Sequence, residues 1–187
     1  LESNLAALIE QAEAGGRPAS DALFSALYSE LHRVAKRQLS RQGHSMNLGA
    51  TTLLHEAYLE MAGREGSRFP DRARFMGYAA RVMRGLIIDH ARSRSAQKRG
   101  GQFEITSVGA ELEDAVDARE LTRISGALDE LAKADSVLAE IVDLKFFCGF
   151  TFTEIATMKS ISERTVQRQW EKARIYLHRT ISMDLDT

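Results

Sequence analysis

Apolar residues recur at helical spacing through most of the chain, and the period changes little from one end to the other. Between residues 21 and 42, Leu23, Leu27, Leu31, Val34 and Leu39 fall on one stripe, with Gly43 as a stop. Residues 51–62 repeat the pattern with Leu54, Ala57, Tyr58 and Met61. The stretch GREGSRFPDRAR, residues 63–74, is too polar and too rich in Gly and Pro to continue that helix, so a loop is predicted there. A long helix over 75–94 turns Phe75, Tyr78, Ala79, Val82, Leu86 and Ile87 inward. Residues 96–118 lack a clear apolar stripe and read as a flexible linker. Further helices are expected over 119–132, 135–148, 152–158 and 162–181. Strand-like alternation is absent. The predicted fold is all-α: two small helical domains, 1–95 and 119–187, joined by the linker 96–118.

Composition narrows the class. Of 187 residues, 44% are apolar and 27% charged, an ordinary balance for a chain that buries a core. Apolar runs stay far below the roughly 18 residues of a membrane span, so no membrane partner is expected. The opening LESNLAALIEQAEAGG is acidic and amphipathic, unlike a signal peptide. One cysteine, Cys148, excludes an internal disulfide and fits a reducing cytoplasm.

The net charge of −1 conceals a segregation. Residues 64–101 hold ten basic side chains against three acids, about +7, whereas residues 102–140 hold ten acids against three bases. A basic helical block is the electrostatic footprint of a polyanion binder, although a solvated basic face has the same composition.

The most specific local pattern is TFTEIATMKSISERTVQRQWEKARIYL, from Thr151 to Leu177. Thr151 and Glu154 have capping-box spacing, and Ile155, Ala156 and Met158 give the short helix an apolar side. Ser162 is a good N-cap for a second helix. There Val166, Trp170, Ala173 and Leu177 form the buried face. Arg164, Gln167, Arg168 and Lys172 occupy the opposite side, and Thr165 is placed to cap or to touch a phosphate. Long hydrogen-bonding side chains on the first turns are what a recognition helix carries into the major groove. His55-Glu56 begins a zinc-protease pattern, but position 59 is leucine, so the spacing fails. With no nucleophile–base cluster, phosphate loop or Cys/His set in the sequence, neither an enzyme nor a metal or cofactor is expected.

The C-terminal EIATMKSISERTVQRQWEKAR resembles region 4.2 of the extracytoplasmic-function (ECF) sigma factors. ATTLLHEAYLEM followed by FMGYAARVMRGLIIDHARSR is similar to their regions 2.2 to 2.4. The resemblance runs from about residue 21 to 181. It implies a sigma factor that directs promoter recognition and transcription initiation. Its first domain would bind the β′ clamp helices of core RNA polymerase and open the −10 element, and its second would meet the β flap and read the −35 element. Carried onto this sequence, the −10 candidates are Arg64, Arg68, Phe69, Arg74, Arg81, Arg84, Asp89, His90 and Arg92, with Arg94 beside them. The −35 candidates are Arg164, Thr165, Gln167, Arg168 and Lys172, and Gln169 stands where the family usually has a basic residue. An autonomous helix-turn-helix regulator with an N-terminal sensor or dimerisation domain is the alternative.

One departure from the family is specific. The start of the region 2.2 helix is usually acidic, and its carboxylates meet basic residues on the polymerase clamp. Aligned on Leu53-Leu54-His55-Glu56, those positions fall on Gly49, Thr51 and Thr52. The expected core-binding residues are therefore Thr51, Thr52, His55, Glu56 and Glu60. Thr51, with Thr52 second, is expected to be a phosphorylation site that restores the missing charge, which implies a Ser/Thr protein kinase as partner. Unmodified, either threonine could serve as the N-cap of the helix.

Overall fold

The structure, a computed structural model, describes residues 17–41, 48–63, 69, 71–100 and 108–183. Among them every regular element is a helix. Helices α1 (Arg17–Ala26), α2 (Tyr28–Ser40), α3 (Ala50–Gly63) and α4 (Arg72–Gly100) make a first unit. The single helix expected over 21–42 is bent at Leu27, whose ψ is 6°, although hydrogen bonds continue on both sides of it. Leu23, Leu27, Leu31 and Val34 are all buried, as their stripe requires. The Tyr58 hydroxyl donates to Asp21 at 2.6 Å, tying α1 to α3. The Gln38 amide donates to the Ala80 carbonyl at 3.1 Å and ties α2 to α4. A buried amide with a partner avoids the cost of a lost hydrogen bond.

Helix α4 starts three residues earlier than expected and continues to Gly100. Helix α5 (Val108–Ala134) starts well inside the stretch read as linker. The expectation of a flexible 96–118 is corrected at both ends, since helical structure covers 96–100 and 108–118, while 101–107 lie outside the described residues. The acidic, alanine-containing sequence there has good helix propensity even without an apolar stripe. Helix α5 returns antiparallel along α4: Arg92 reaches Thr122 at 3.2 Å, and Arg84 lies 3.8 Å from Asp129. The acidic segment thus lies on the basic one.

Helix α6 (Ser136–Val142) is capped by Asp135, whose carboxylate accepts from the backbone of Val137 and Leu138. The chain then widens into a π-helical segment, Asp143–Cys148, before α7 (Phe152–Lys159) and α8 (Glu163–Met183). Gly149 ends the π segment with φ +81°, and its N–H and that of Phe150 both donate to the Leu144 carbonyl. That conformation suits glycine, which has no Cβ to clash.

Both units share one core. Leu53, Leu54, Met76 and Met83 from the first and Leu131, Ile141, Leu144 and Ile155 from the second belong to a single buried cluster. Trp170, the sole tryptophan, packs against that cluster from the second unit. A cavity made in the first unit should therefore register at Trp170. Met83→Ala is expected to cost about 2–5 kcal/mol and to shift the Trp170 fluorescence transition and the far-UV circular dichroism transition in denaturant together. Loss of only part of the dichroism change, with the fluorescence midpoint unmoved, would contradict a shared core.

Candidate nucleic-acid interface

The helix-turn-helix forms as its sequence requires. Thr151 accepts from the Glu154 N–H, and the Glu154 carboxylate accepts from the Thr151 N–H at 2.7 Å, a complete capping box. These bonds hold the Glu154 carboxyl below the usual range. Ser160 turns the chain at φ +53°, a left-handed conformation unusual for a residue with a side chain. Ser162 then caps α8, its hydroxyl accepting from the Thr165 N–H at 3.2 Å and lying 2.8 Å from the Thr165 hydroxyl. Val166 and Ala173 are fully buried, with Trp170 and Leu177 packed beside them. Arg164, Gln167, Arg168 and Lys172 are all exposed on the far side. Gln167 is steadied by Glu163 at 3.0 Å. Gln169 is half-buried and lies apart from that exposed row.

The first unit presents a different picture. Of the −10 candidates, Asp89 and Arg92 are exposed and 3.9 Å apart, and His90 is half-buried. Phe69 packs edge-on against Phe75 and tilted against Tyr78, each at 5.2 Å between ring centroids. It belongs to an aromatic cluster at the base of α4, and Phe75 is buried in the core. Arg64 and Arg68 lie outside the described residues. Arg74, Arg81 and Arg84 project from one side of α4 toward the second unit. Arg84 is only 6% exposed and donates to Asp143 at 2.9 Å, Arg81 donates to the other oxygen of Asp143 at 3.1 Å, and Arg74 lies 3.4 Å from Glu140.

A basic helix in one unit is followed by the acidic helix α5 and then by a formed helix-turn-helix. The family model described as ECF sigma factor fits residues 2–183. The chain belongs to the ECF sigma factors. Membership makes core RNA polymerase and promoter DNA its partners and transcription initiation its work, in a family that is not one of enzymes. No curated protein matches the sigma factor closely enough to stand as a relative. Among the described residues no helix is long and apolar enough to cross a membrane.

The surface expected to meet polymerase lies on α3. The Gly49 carbonyl accepts from the Leu53 N–H at 2.9 Å, so Gly49 occupies the N-cap position. The expectation that a threonine caps this helix is corrected: Thr51 and Thr52 are its second and third residues, both exposed. His55 and Glu56 are exposed one turn further on, and Glu60 is half-buried. Sequence reasoning passed over Leu59, 53% exposed on that same face. Its place outside the apolar stripe, among polar neighbours, was the available sign.

Two other residues went unnoticed. Glu140 and Asp143 are 5% and 2% exposed, and both carboxylates face arginines of α4. Burial pushes the Asp143 carboxyl above the usual range, against the opposing pull of Arg84 and Arg81. Lys159 pairs with Glu140 from α7. Cys148 is buried with its thiol pushed up by burial, so it is not a reactive thiolate.

The helix-turn-helix geometry is testable through its turn and cap. Ser160→Gly should raise stability by about 1 kcal/mol by relieving the left-handed cost, and Thr151→Ala should lower it by about 0.5–2 kcal/mol. A depressed Glu154 pKa stabilises the fold above the ordinary glutamate value of 4.5, and that contribution disappears as pH falls through the depressed value. The stability difference between wild type and Glu154→Gln should accordingly be constant at neutral pH and shrink below about 4.5. Denaturant titrations across that range measure it, and a difference that grows toward acid would refute the assignment.

Proposed function

We propose that this sigma factor docks on the β′ clamp helices of polymerase through the exposed face of α3. Phosphorylation of Thr51, or of Thr52 as second acceptor, switches docking on. The observation that carries this reading is the first turn of α3, which has no acidic residue and in which both threonines are exposed. A phosphothreonine adds about −1.5 to −2 charge and three strong acceptors. At the second or third position of a helix it meets unsatisfied N–H groups and the helix dipole, worth roughly 0.3–1 kcal/mol when exposed. Across the interface it can take charge-assisted bonds from arginines. His55, Glu56 and Leu59 extend the face along the helix, with Glu60 at its edge. The implied activating partner is a Ser/Thr protein kinase.

The DNA contacts divide between the units in this reading. Residues 1–95 open the −10 element, with Arg64, Arg68, Phe69, Arg74, Arg81, Arg84, Asp89, His90 and Arg92 along the single strand. A basic groove with a few flat side chains suits an unpaired strand. Residues 119–187 read the −35 element as a duplex, and the row of Arg164, Gln167, Arg168 and Lys172, with Thr165 at its start, supports this.

Pull-down of core polymerase decides the switch. Kinase-treated protein should bind at least about tenfold more tightly than untreated, a gap of roughly 1.4 kcal/mol. Thr51→Ala should lose most of that gain, and Thr51→Glu should recover part of it. Untreated protein binding as tightly as phosphorylated protein would end the proposal. On a duplex from a promoter that supports run-off initiation, Arg168→Ala should weaken binding by about 1–3 kcal/mol if it contacts a base. An unchanged affinity and salt slope would remove Arg168 from the interface.

A further inference from the structure

The α4 arginines assigned above to the single strand already have a partner within the chain. We propose that residues 140–150 form an intramolecular plug that closes the basic groove of the first unit, so that the free sigma factor is self-inhibited. This rests on the reading of Arg74, Arg81 and Arg84 as strand-binding residues. The two carboxylates of Asp143 and Glu140 stand where phosphates would have to approach. Asp143 takes both Arg81 and Arg84, at 3.1 and 2.9 Å, and Glu140 takes Arg74 at 3.4 Å. Arg84, buried against the carboxylate, cannot reach a strand in this arrangement, and Arg81 and Arg74, half exposed, offer a strand a site already partly neutralised.

The contact is built over the whole segment. The approach is close at Gly77, where a Cβ would lie 3.7 Å from Glu140 Cγ and 3.8 Å from Asp143 Cβ, both ordinary contact distances. Arg84 also lies 4.8 Å from the centre of the Phe147 ring, and Arg41 of the first unit sits 3.7 Å from that of Phe146. Arg37 donates to the Phe146 carbonyl at 3.3 Å. The same Arg37 side chain lies within 3 Å of where a Cβ on Gly149 would stand, so its tip lies directly over the glycine. Single-turn π insertions recur at functional positions because they re-aim side chains within a helix. Here the widened turn places Asp143 and both phenylalanines toward α2 and α4.

Buried ion pairs of this kind contribute little net stability but fix geometry, because desolvation offsets most of their attraction. A competitor that supplies its own negative charge can therefore displace the plug. Charge sets the register of this cover, and opening it also parts the apolar contacts that Leu144, Phe147 and Phe150 make in the shared core.

A disulfide across the contact tests it on the full chain. The 3.8 Å separation at position 77 matches the Cβ–Cβ spacing of a disulfide. In Gly77→Cys/Asp143→Cys, with Cys148→Ala to prevent mispairing, oxidation should form the bond. The oxidised form should bind a fluorescent single-stranded oligothymidylate at least about tenfold more weakly than the same protein reduced, the penalty when the open form is no more than about a tenth of molecules. Separately, Asp143→Arg, which sets a cation against Arg81 and Arg84, should bind the oligonucleotide several-fold more tightly than wild type. Circular dichroism of both variants establishes that they fold. Failure of the disulfide to form overturns the contact. Equal binding by oxidised and reduced forms, or no gain in Asp143→Arg, overturns the masking. Arg81→Ala in the reduced double variant separates the underlying reading: unchanged affinity removes the arginines from the strand surface and the masking with it, while disulfide formation still reports the contact.

Discussion

Asp143 is a carboxylate taken out of water and set between two guanidiniums from another helical unit. Ionised groups lose several kcal/mol of hydration on burial, and only well-placed counter-charges restore it. Arg84 and Arg81 supply them, one to each carboxylate oxygen. For both to reach, α4 must lie in contact with the start of the π segment, and it does so around Gly77. The rest of the packing between units is arranged around this constraint. Phe147 covers Arg84, Met76 takes the Cys148 thiol at its carbonyl, and the apolar cluster runs through without interruption.

The segregation of charge along the sequence has a structural meaning that composition alone left open. A block of about +7 followed by an acidic block could be a polyanion surface beside an independent tail. In the structure the two blocks are neighbours, with α5 antiparallel on α4 and Glu140 and Asp143 set against its arginines. Positive charge on α4 is thus partly neutralised from within. This agrees with an affinity for nucleic acid that depends on conformation as well as on total charge.

Local features were legible because local chemistry determines them. The stripes of Leu23, Leu27, Leu31 and Val34, and of Val166, Trp170 and Ala173, face the core as spacing alone requires. The Thr151–Glu154 box and the Ser162 cap involve residues three apart, so sequence suffices to place them. The capping of α3 was misread because two good N-cap residues follow a glycine that takes the position instead. Helical structure at 108–118 was missed since it lacks an apolar stripe, and propensity is a weaker sign than periodicity. Hidden altogether were Glu140 and Asp143. Their partners lie about sixty residues upstream, and nothing in a helical period announces which charges will be buried together. The widening to a π turn was equally silent, because residues 135–148 read as one uninterrupted helix.

Gly149 carries a consequence for how such a chain can vary. Its backbone lies at φ +81°, and the Arg37 side chain fills the space a Cβ would need. Even alanine would meet a strained backbone there, and the tip of Arg37 would have to move aside. It is a one-position signature of this turn that sequence comparison can search for. A sigma factor with a β-branched residue there would strain the turn that closes Gly149 and Phe150 onto the Leu144 carbonyl. Drift at this glycine would disturb the junction of the two units while leaving the capping bonds of the helix-turn-helix intact.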